Sequence, residues 1–414
     1  MSQGTMTQVA INPDRVLGDL YHLRGIGTFK TGVHRPTLSP EDMQARRWLV
    51  DQLGSIGHQA EIDGIANVIG SSPATGKKLL AGSHLESQNE AGWLDGALGV
   101  IYALEAARVI AAAPEFANAG VDVIAFADEE AHFGGFLGSY SFVGELEETQ
   151  IDAAVDRTRG ISMRDALADA GLAGKERLRL QQDRYVGFLE AHIEQGDWLE
   201  SGNQKVGIVT SIVSIAQYRI TVTGAQNHAG TTRMATRRDA GQAAIRFCHE
   251  INESFKRHAA ERTVWTVGKM AFDPGAPSII PGAAEVVFQF RDADPSKVAE
   301  LEALLFETVQ RINSDSPCDF QIETMNKSVP AVMHENLQAA LEAAAVEHVP
   351  EQFVRMPSGA GHDAQILARH MPAGMMFVPS IGGISHHYSE NTSDEDIVAG
   401  AQVYAAAVGR LLSD

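Results

Sequence analysis

Six side chains of metal-binding or acid–base type follow apolar runs in this sequence, at four separate places. His84 follows Lys78–Ser83, and Asp95 comes after it on a connection rich in glycine and polar residues. Glu129 and Glu130 follow the run Val121–Ala127. His192 lies near the end of Tyr185–Ile193, two residues after Glu190, and His386 follows Gly374–Val378. One such residue at a strand end is ordinary structure; the recurrence is what points to chemistry. A mixed set of imidazoles and carboxylates suits zinc or manganese. Three histidines and two carboxylates suffice for two ions if one carboxylate bridges. Two ions about 3.5 Å apart clamp a nucleophilic water and polarise a carbonyl. Glu129 and Glu130 face opposite sides if the strand continues through them, so one can ligate while the other serves as general base.

The elements that must deliver these residues alternate. Helix starts are read at Asn12-Pro13-Asp14 and at Ser39-Pro40-Glu41-Asp42, the second with capping-box spacing and running to Gly54. Ala60–Ile69 reads as a hairpin around Asp63-Gly64, Lys78–Ser83 as a buried strand, and Leu94–Ala113 as an alanine-rich helix. Strands and helices in turn imply an α/β unit with a mostly parallel sheet. Such a sheet builds sites on the loops beyond its carboxyl ends. The texture changes near Gly207. Tyr218–Thr223 and Val286–Phe290 alternate apolar and polar residues, which marks a sheet with one solvated face. With helices over Arg238–Glu253 and Ser296–Ile312 and a last strand over Asp319–Thr324, they form an α+β unit of roughly 115 residues. The large-unit texture then returns, with helices over Asn336–Glu347 and from Ser393. The organisation expected is residues 1–211 and 329–414 in a catalytic domain, with 212–328 inserted as a smaller one.

Composition narrows the classes. The chain has 414 residues, 44% hydrophobic and 21% charged, with a net charge of -20. Such an acidic surface argues against nucleic acid or an anionic membrane as partner. Cys248 and Cys318 stand far apart in no metal-binding pattern, so neither a disulfide framework nor a structural zinc module is expected. The polar N-terminus has no secretory h-region, and no apolar run approaches the ~20 residues of a membrane helix. A cytoplasmic protein is the expectation.

Over nearly the whole chain, from about Leu80 to Gly400, the sequence resembles the amidase, hydantoinase and carbamoylase branch of the M20 metallopeptidase-like family. Its members include N-carbamoyl-L-amino acid hydrolases, β-ureidopropionases, and allantoate and ureidoglycolate amidohydrolases. The resemblance rests on Gly82-Ser-His-Leu, Asp95-Gly-Ala-Leu-Gly99, Glu129-Glu130 with Leu137-Gly-Ser139, and Ala191-His-Ile-Glu-Gln-Gly196. It continues through His228-Ala-Gly-Thr-Thr232, Arg237-Arg-Asp-Ala240, Pro357-Ser-Gly-Ala-Gly-His-Asp-Ala364 and Phe377-Val-Pro-Ser-Ile-Gly-Gly-Ile-Ser-His386. It implies two divalent ions per subunit, zinc first, with manganese, cobalt or nickel as alternatives. Asp95 would bridge them, His84 and His192 would complete one site, and Glu130 and His386 the other. Glu129 would be the general base. His228, on the inserted dimerisation or lid domain, would serve the oxyanion in the partner subunit of a homodimer. Gln195, Arg291 and His362 match substrate-holding positions, with Arg291 forking onto a substrate carboxylate. His387 is read as a surface histidine.

The departures bear on substrate. Glu86 stands where the branch usually has Asp behind the first histidine, Arg233 where it has Pro, and Ser278 where an Asn helps to bind substrate. Glu129-Glu-Ala-His-Phe133 is one residue shorter than the usual run and lacks its Arg. The expected activity is hydrolysis of a linear C–N bond in a small carboxylate-bearing substrate. An aminoacylase or dipeptidase-like M20 hydrolase, or a catalytically silent metal-binding scaffold, are the competing readings. Intact Glu129 argues against the silent scaffold.

Overall fold

Four strands carry the site: Lys78–His84, Gly120–Phe126, Tyr185–Ile193 and Ala373–Val378. Almost every residue in them is buried, as expected of strands covered on both faces. They run parallel to one another at the centre of a nine-stranded sheet. The register sets His84 opposite Phe126, and His192 opposite Phe377. The flanking strands are antiparallel. Val206–Ile212 lies against Ala373–Val378, Val68–Ser71 against Gly120–Phe126, and Gln59–Ile62 against Val68–Ser71. The sheet is therefore mixed, with a parallel centre. Because the four central strands share one direction, all their carboxyl ends open on the same edge.

The helix Ala97–Ala112 is buried on nearly all sides, which its run of small and aliphatic residues permits. Gly96 immediately before it has φ +68°, and a Cβ there would stand 2.3 Å from Cε1 of His84. Only glycine lets the chain turn so close to that imidazole. The helix Pro40–Ser55 starts at Ser39, whose Oγ accepts the Asp42 N–H at 3.1 Å. Its buried face carries Met43, Leu49 and Leu53, and also two charged residues, Asp42 and Arg46. The C-terminal helix Asp394–Ser413 is capped by Ser393, whose Oγ accepts the Asp396 N–H at 3.1 Å.

This computed structural model describes residues 9–413. They form two compact units. One comprises the chain up to Thr210 with Val332–Met356 and everything from Ala360; the other is Ser211–Ala331 with Pro357–Gly359. The second unit is a four-stranded antiparallel sheet in the order Val264–Asp273, Ala283–Asp292, Ser214–Thr223, Asp319–Lys327. The two inner strands alternate strictly between buried and half-buried residues. Their inner face meets the helices Ala240–His258 and Pro295–Asp315 around Tyr218, Phe247, Phe255, Phe288, Leu301 and Leu305. Cys248 and Cys318 are both free thiols. Among the described residues no helix is long and apolar enough to cross a membrane.

Candidate metal centre

The carboxyl ends of the central strands bring five of the expected ligands into two overlapping groups. Among the described residues, His84, Asp95 and His192 form one, and Asp95, Glu130 and His386 the other; within each group the ligand atoms lie within 4.8 Å of one another. Asp95 belongs to both and divides its oxygens between them. Its Oδ1 lies 2.8 Å from Nε2 of His192 and 3.5 Å from Nε2 of His84. Its Oδ2 lies 3.4 Å from Nε2 of His386, which is itself 3.5 Å from Oε2 of Glu130.

The imidazole tautomers fit this arrangement. His84 Nδ1 donates to the Glu86 carbonyl at 3.0 Å, and His192 Nδ1 donates to the Ile193 carbonyl at 2.8 Å. Each ring when neutral then turns an Nε2 lone pair inward, the form that binds metal. Among the described residues, Nε2 of His84 is buried without a hydrogen-bond partner. A buried acceptor left unmade is costly, and a cation is what this one lacks. The residues present therefore fit divalent ions. Burial pushes the His84 and His192 imidazoles down, but the carboxylates of Glu129 and Asp95 outweigh it and hold both up. His386 is raised to about 9, first by its bond to Asp95. Burial alone would raise Asp95, yet the three imidazoles hold it well below the usual range. Protons and divalent ions compete for the same atoms, so metal uptake releases protons and weakens as pH falls.

Glu129 and Glu130 do not diverge by strand pleating. The strand ends at Phe126, and Asp128 at φ +60° turns the chain into a loop held by its own carboxylate, which accepts the N–H groups of Phe133, Gly134 and Gly135. The turn sends Glu130 to His386 and Glu129 to His84, with Glu129 Oε2 3.6 Å from His84 Nε2. Burial, then the neighbouring Glu130, Asp363 and Asp95 carboxylates, push the Glu129 carboxyl well above its ordinary value despite the opposing pull of His84. Asp128, Gln195 and His386 all have positive φ; backbone strain of this kind gathers at sites.

Gln195, expected to hold substrate, donates from Nε2 to Asp95 Oδ2 at 2.8 Å, while its Oε1 is buried without a hydrogen-bond partner. His362 packs edge-on against His192, with ring centroids 4.6 Å apart, and burial holds its imidazole well below the usual range. His387 is exposed and bonds Ser389. Glu190 lies outside both groups; it accepts from Ser83 Oγ and the Ala364 N–H. His228, Ser278 and Arg291 lie in the second unit. His228 pairs with Ile279, and the Ala229 N–H reaches the Ser278 carbonyl at 2.9 Å. Nδ1 of His228 accepts the N–H groups of Gly230 and Thr231. This tautomer is the reverse of that at the ligands: the neutral ring presents an exposed Nε2–H, a donor rather than a lone pair. Among the described residues Arg291 bonds only neutral acceptors, Gln289 Oε1 at 3.1 Å and the Gly359 carbonyl at 3.0 Å.

Three supporting residues escaped the sequence reading. Gln88 donates from Nε2 to Glu130 Oε2 at 2.8 Å; it lies within the His84–Asp95 connection. Glu390 is buried and accepts the N–H groups of Leu94 and Asp95 and the Ser385 hydroxyl. Arg46 lies on a helix face that the apolar pattern assigns to the core. The one signal for it was its i,i+4 spacing from Asp42.

The α/β unit opens two candidate metal-ligand groups on the carboxyl edge of its parallel sheet centre, and the α+β unit is a separate compact unit. The chain belongs to peptidase family M20/M25/M40, whose pattern matches residues 73–410. It is 32% identical to an N-carbamoyl-L-amino-acid amidohydrolase from Paenarthrobacter aurescens, over 96% of this chain and 98% of that one. It is 30% identical to an allantoate amidohydrolase from Escherichia coli, over 92% and 93%. The crystal structure of an amidase of the hydantoinase/carbamoylase family from Burkholderia phymatum superposes with a TM-score of 0.91 at 42% identity, covering 98% of this chain and 99% of that one.

Proposed function

We propose that this protein is a metal-dependent amidohydrolase that cleaves a linear C–N bond, in an N-carbamoyl or ureido group, of a small substrate bearing a carboxylate. An N-carbamoyl-L-amino acid is the first choice. The observation that carries the reading is Asp95, whose two oxygens each face a separate group of ligands. His84 and His192 would hold one divalent ion and Glu130 and His386 a second, zinc first, with Asp95 common to both. When bound, they polarise the scissile carbonyl and acidify the attacking water. Glu129 takes the proton from that water and passes it to the leaving nitrogen. Its place beside the ligand group, with Oε2 3.6 Å from Nε2 of His84, suits both steps. His228 donates its Nε2–H to the oxyanion, Arg291 forks onto the substrate carboxylate, and Ser278 and His362 line the substrate. Gln195 both steadies Asp95 and offers its Oε1 to substrate. Carbamoyl cleavage releases ammonia and carbon dioxide. The test is ammonia release from a panel of N-carbamoyl amino acids, ureidoglycolate and allantoate, with N-acetyl amino acids and dipeptides as controls and metal content measured in parallel. Turnover confined to the controls overturns the reading.

The inserted unit acts as a dimerisation domain, and His228 acts in trans. In support, the outer strand Val264–Asp273 presents an unpaired edge with Val264, Val267, Met270 and Phe272 between 38% and 55% exposed. An apolar edge of this kind is normally covered, here by its own copy about a two-fold axis. Mixing a His228→Ala chain with a Glu129→Gln chain, each inactive alone, creates one doubly defective site and one intact site per heterodimer. Activity should recover towards about half of wild type. No recovery, with subunit exchange demonstrated, means that His228 serves its own chain or none.

A further inference from the structure

Behind the metal centre lies a charged cluster with no exposure to solvent. The guanidinium of Arg46 and the carboxylates of Asp42 and Glu86 have no exposed side-chain surface. Arg46 Nε donates to Asp42 at 2.9 and 3.0 Å. Its Nη1 donates to the carbonyls of Ala66 at 2.7 Å, Phe126 at 3.1 Å and Ala125 at 3.3 Å. Its Nη2 donates to Glu86 Oε2 at 2.7 Å. Ala125 and Phe126 are the last residues of the strand that leads into Asp128-Glu129. The other oxygen of Glu86 accepts the backbone N–H of Glu129 itself, at 2.6 Å.

The position of Glu86 two residues after His84 suggests that its carboxylate orients that imidazole. The geometry is otherwise. His84 Nδ1 is 4.0 Å from Glu86 Oε1, and its hydrogen bond runs to the Glu86 backbone carbonyl at 3.0 Å. The main chain holds the histidine, so the side chain is free to reach one methylene further. Beyond Asp128, at φ +60°, the Glu129 N–H has no strand neighbour, and Glu86 is its acceptor. A carboxylate oxygen makes a short, directional bond to a buried N–H, and the buried Arg46 fixes that carboxylate through its other oxygen at 2.7 Å.

We propose that Glu86, held by Arg46, is the positioning residue for Glu129: a buried brace that ties the helix Pro40–Ser55 and the end of the strand Gly120–Phe126 to the peptide of the general base. This rests on the reading of Glu129 as base. It assigns a function to Glu86 that differs from histidine orientation, and it makes Glu86→Asp a non-conservative change. Shortening by one carbon, about 1.5 Å, withdraws the carboxylate from the Glu129 N–H, from Arg46, or from both. Misplacement of a catalytic group by about 1 Å can cost 100-fold.

The experiment uses the full-length metal-loaded protein and the substrate found by the ammonia panel. For Glu86→Asp, kcat should fall about 10- to 100-fold, with KM unchanged. Titration of the metal-stripped variant should give wild-type metal affinity, since the His84 Nδ1 bond is to backbone. A metal affinity that falls in step with kcat returns Glu86 to orienting His84 and overturns the proposal; so does an unchanged kcat. The double variant Glu86→Asp/Glu129→Gln supplies the second test. A residue that works through Glu129 adds no further loss once Glu129 is gone, whereas losses that multiply place its action elsewhere. If Glu86→Asp does not fold, Glu86→Gln keeps the length and presents an amide that cannot accept from both Arg46 and Glu129; the same kcat-only loss is expected. The two readings fail separately. An active Glu129→Gln enzyme removes the base, whereas an inactive one beside a normal Glu86→Asp enzyme removes only the brace.

Discussion

Glu129→Gln should retain the fold and both metal equivalents and lose most turnover, on the order of 100- to 10,000-fold in kcat. Gln is nearly isosteric and keeps the backbone N–H that Glu86 holds at 2.6 Å, but its amide cannot take a proton from water. The proposed ligands His84, Asp95, His192, Glu130 and His386 are untouched. Electrostatics sharpen the expectation. Burial and the nearby Glu130, Asp363 and Asp95 carboxylates all disfavour a charge at Glu129. Neutralising it relieves that repulsion, so the metal-stripped variant should melt no lower than metal-stripped wild type. Elemental analysis, a thermal melt and steady-state rates decide the matter together. A variant with two ions and a near-normal rate removes Glu129 from the mechanism.

Asp95→Asn should cost both metal equivalents and with them essentially all activity. One oxygen of Asp95 faces His192 and His84, and the other faces His386 while accepting from Gln195 at 2.8 Å. An amide is a weak ligand, and its NH2 on the second oxygen's side would meet the NH2 of Gln195, donor against donor. With its NH2 on the other side it would point a donor at two imidazoles. Either way one group of ligands loses its anion, and the other keeps only a neutral carbonyl. Loss of a single equivalent by elemental analysis would show that Asp95 is a terminal ligand of one ion rather than a bridge between two.

Much of this protein is written locally. Lys78–His84, Gly120–Phe126, Tyr185–Ile193 and Ala373–Val378 are legible because fully buried strands are continuous apolar runs. The second unit is legible because Ser214–Thr223 and Ala283–Asp292 alternate with period two. One strand that the sequence hid has neither pattern. Val264–Asp273 is an outer strand with exposed residues on both faces, so no hydrophobic period marks it. The candidate ligand groups were legible too, since metal-binding types recur at strand ends and in motifs spread along the chain. How those ligands are supported was not. Whether Glu129 and Glu130 diverge by pleat or by turn depends on Asp128 closing a loop on three N–H groups. Whether Glu86 serves His84 or Glu129 depends on a hydrogen bond across 43 residues, anchored by an arginine 40 residues before Glu86 in the chain. The sequence by itself determined which elements form, which residue types stand at their ends and what class of chemistry those types can do. Those properties follow from local periodicity and side-chain chemistry. Only the tertiary structure decided the division of Asp95 between two ligand groups, the opposite tautomers of His84 and His228, and the partner of Glu86. Each of these is set by which polar atom lies within about 3 Å of another, and folding alone brings such atoms together.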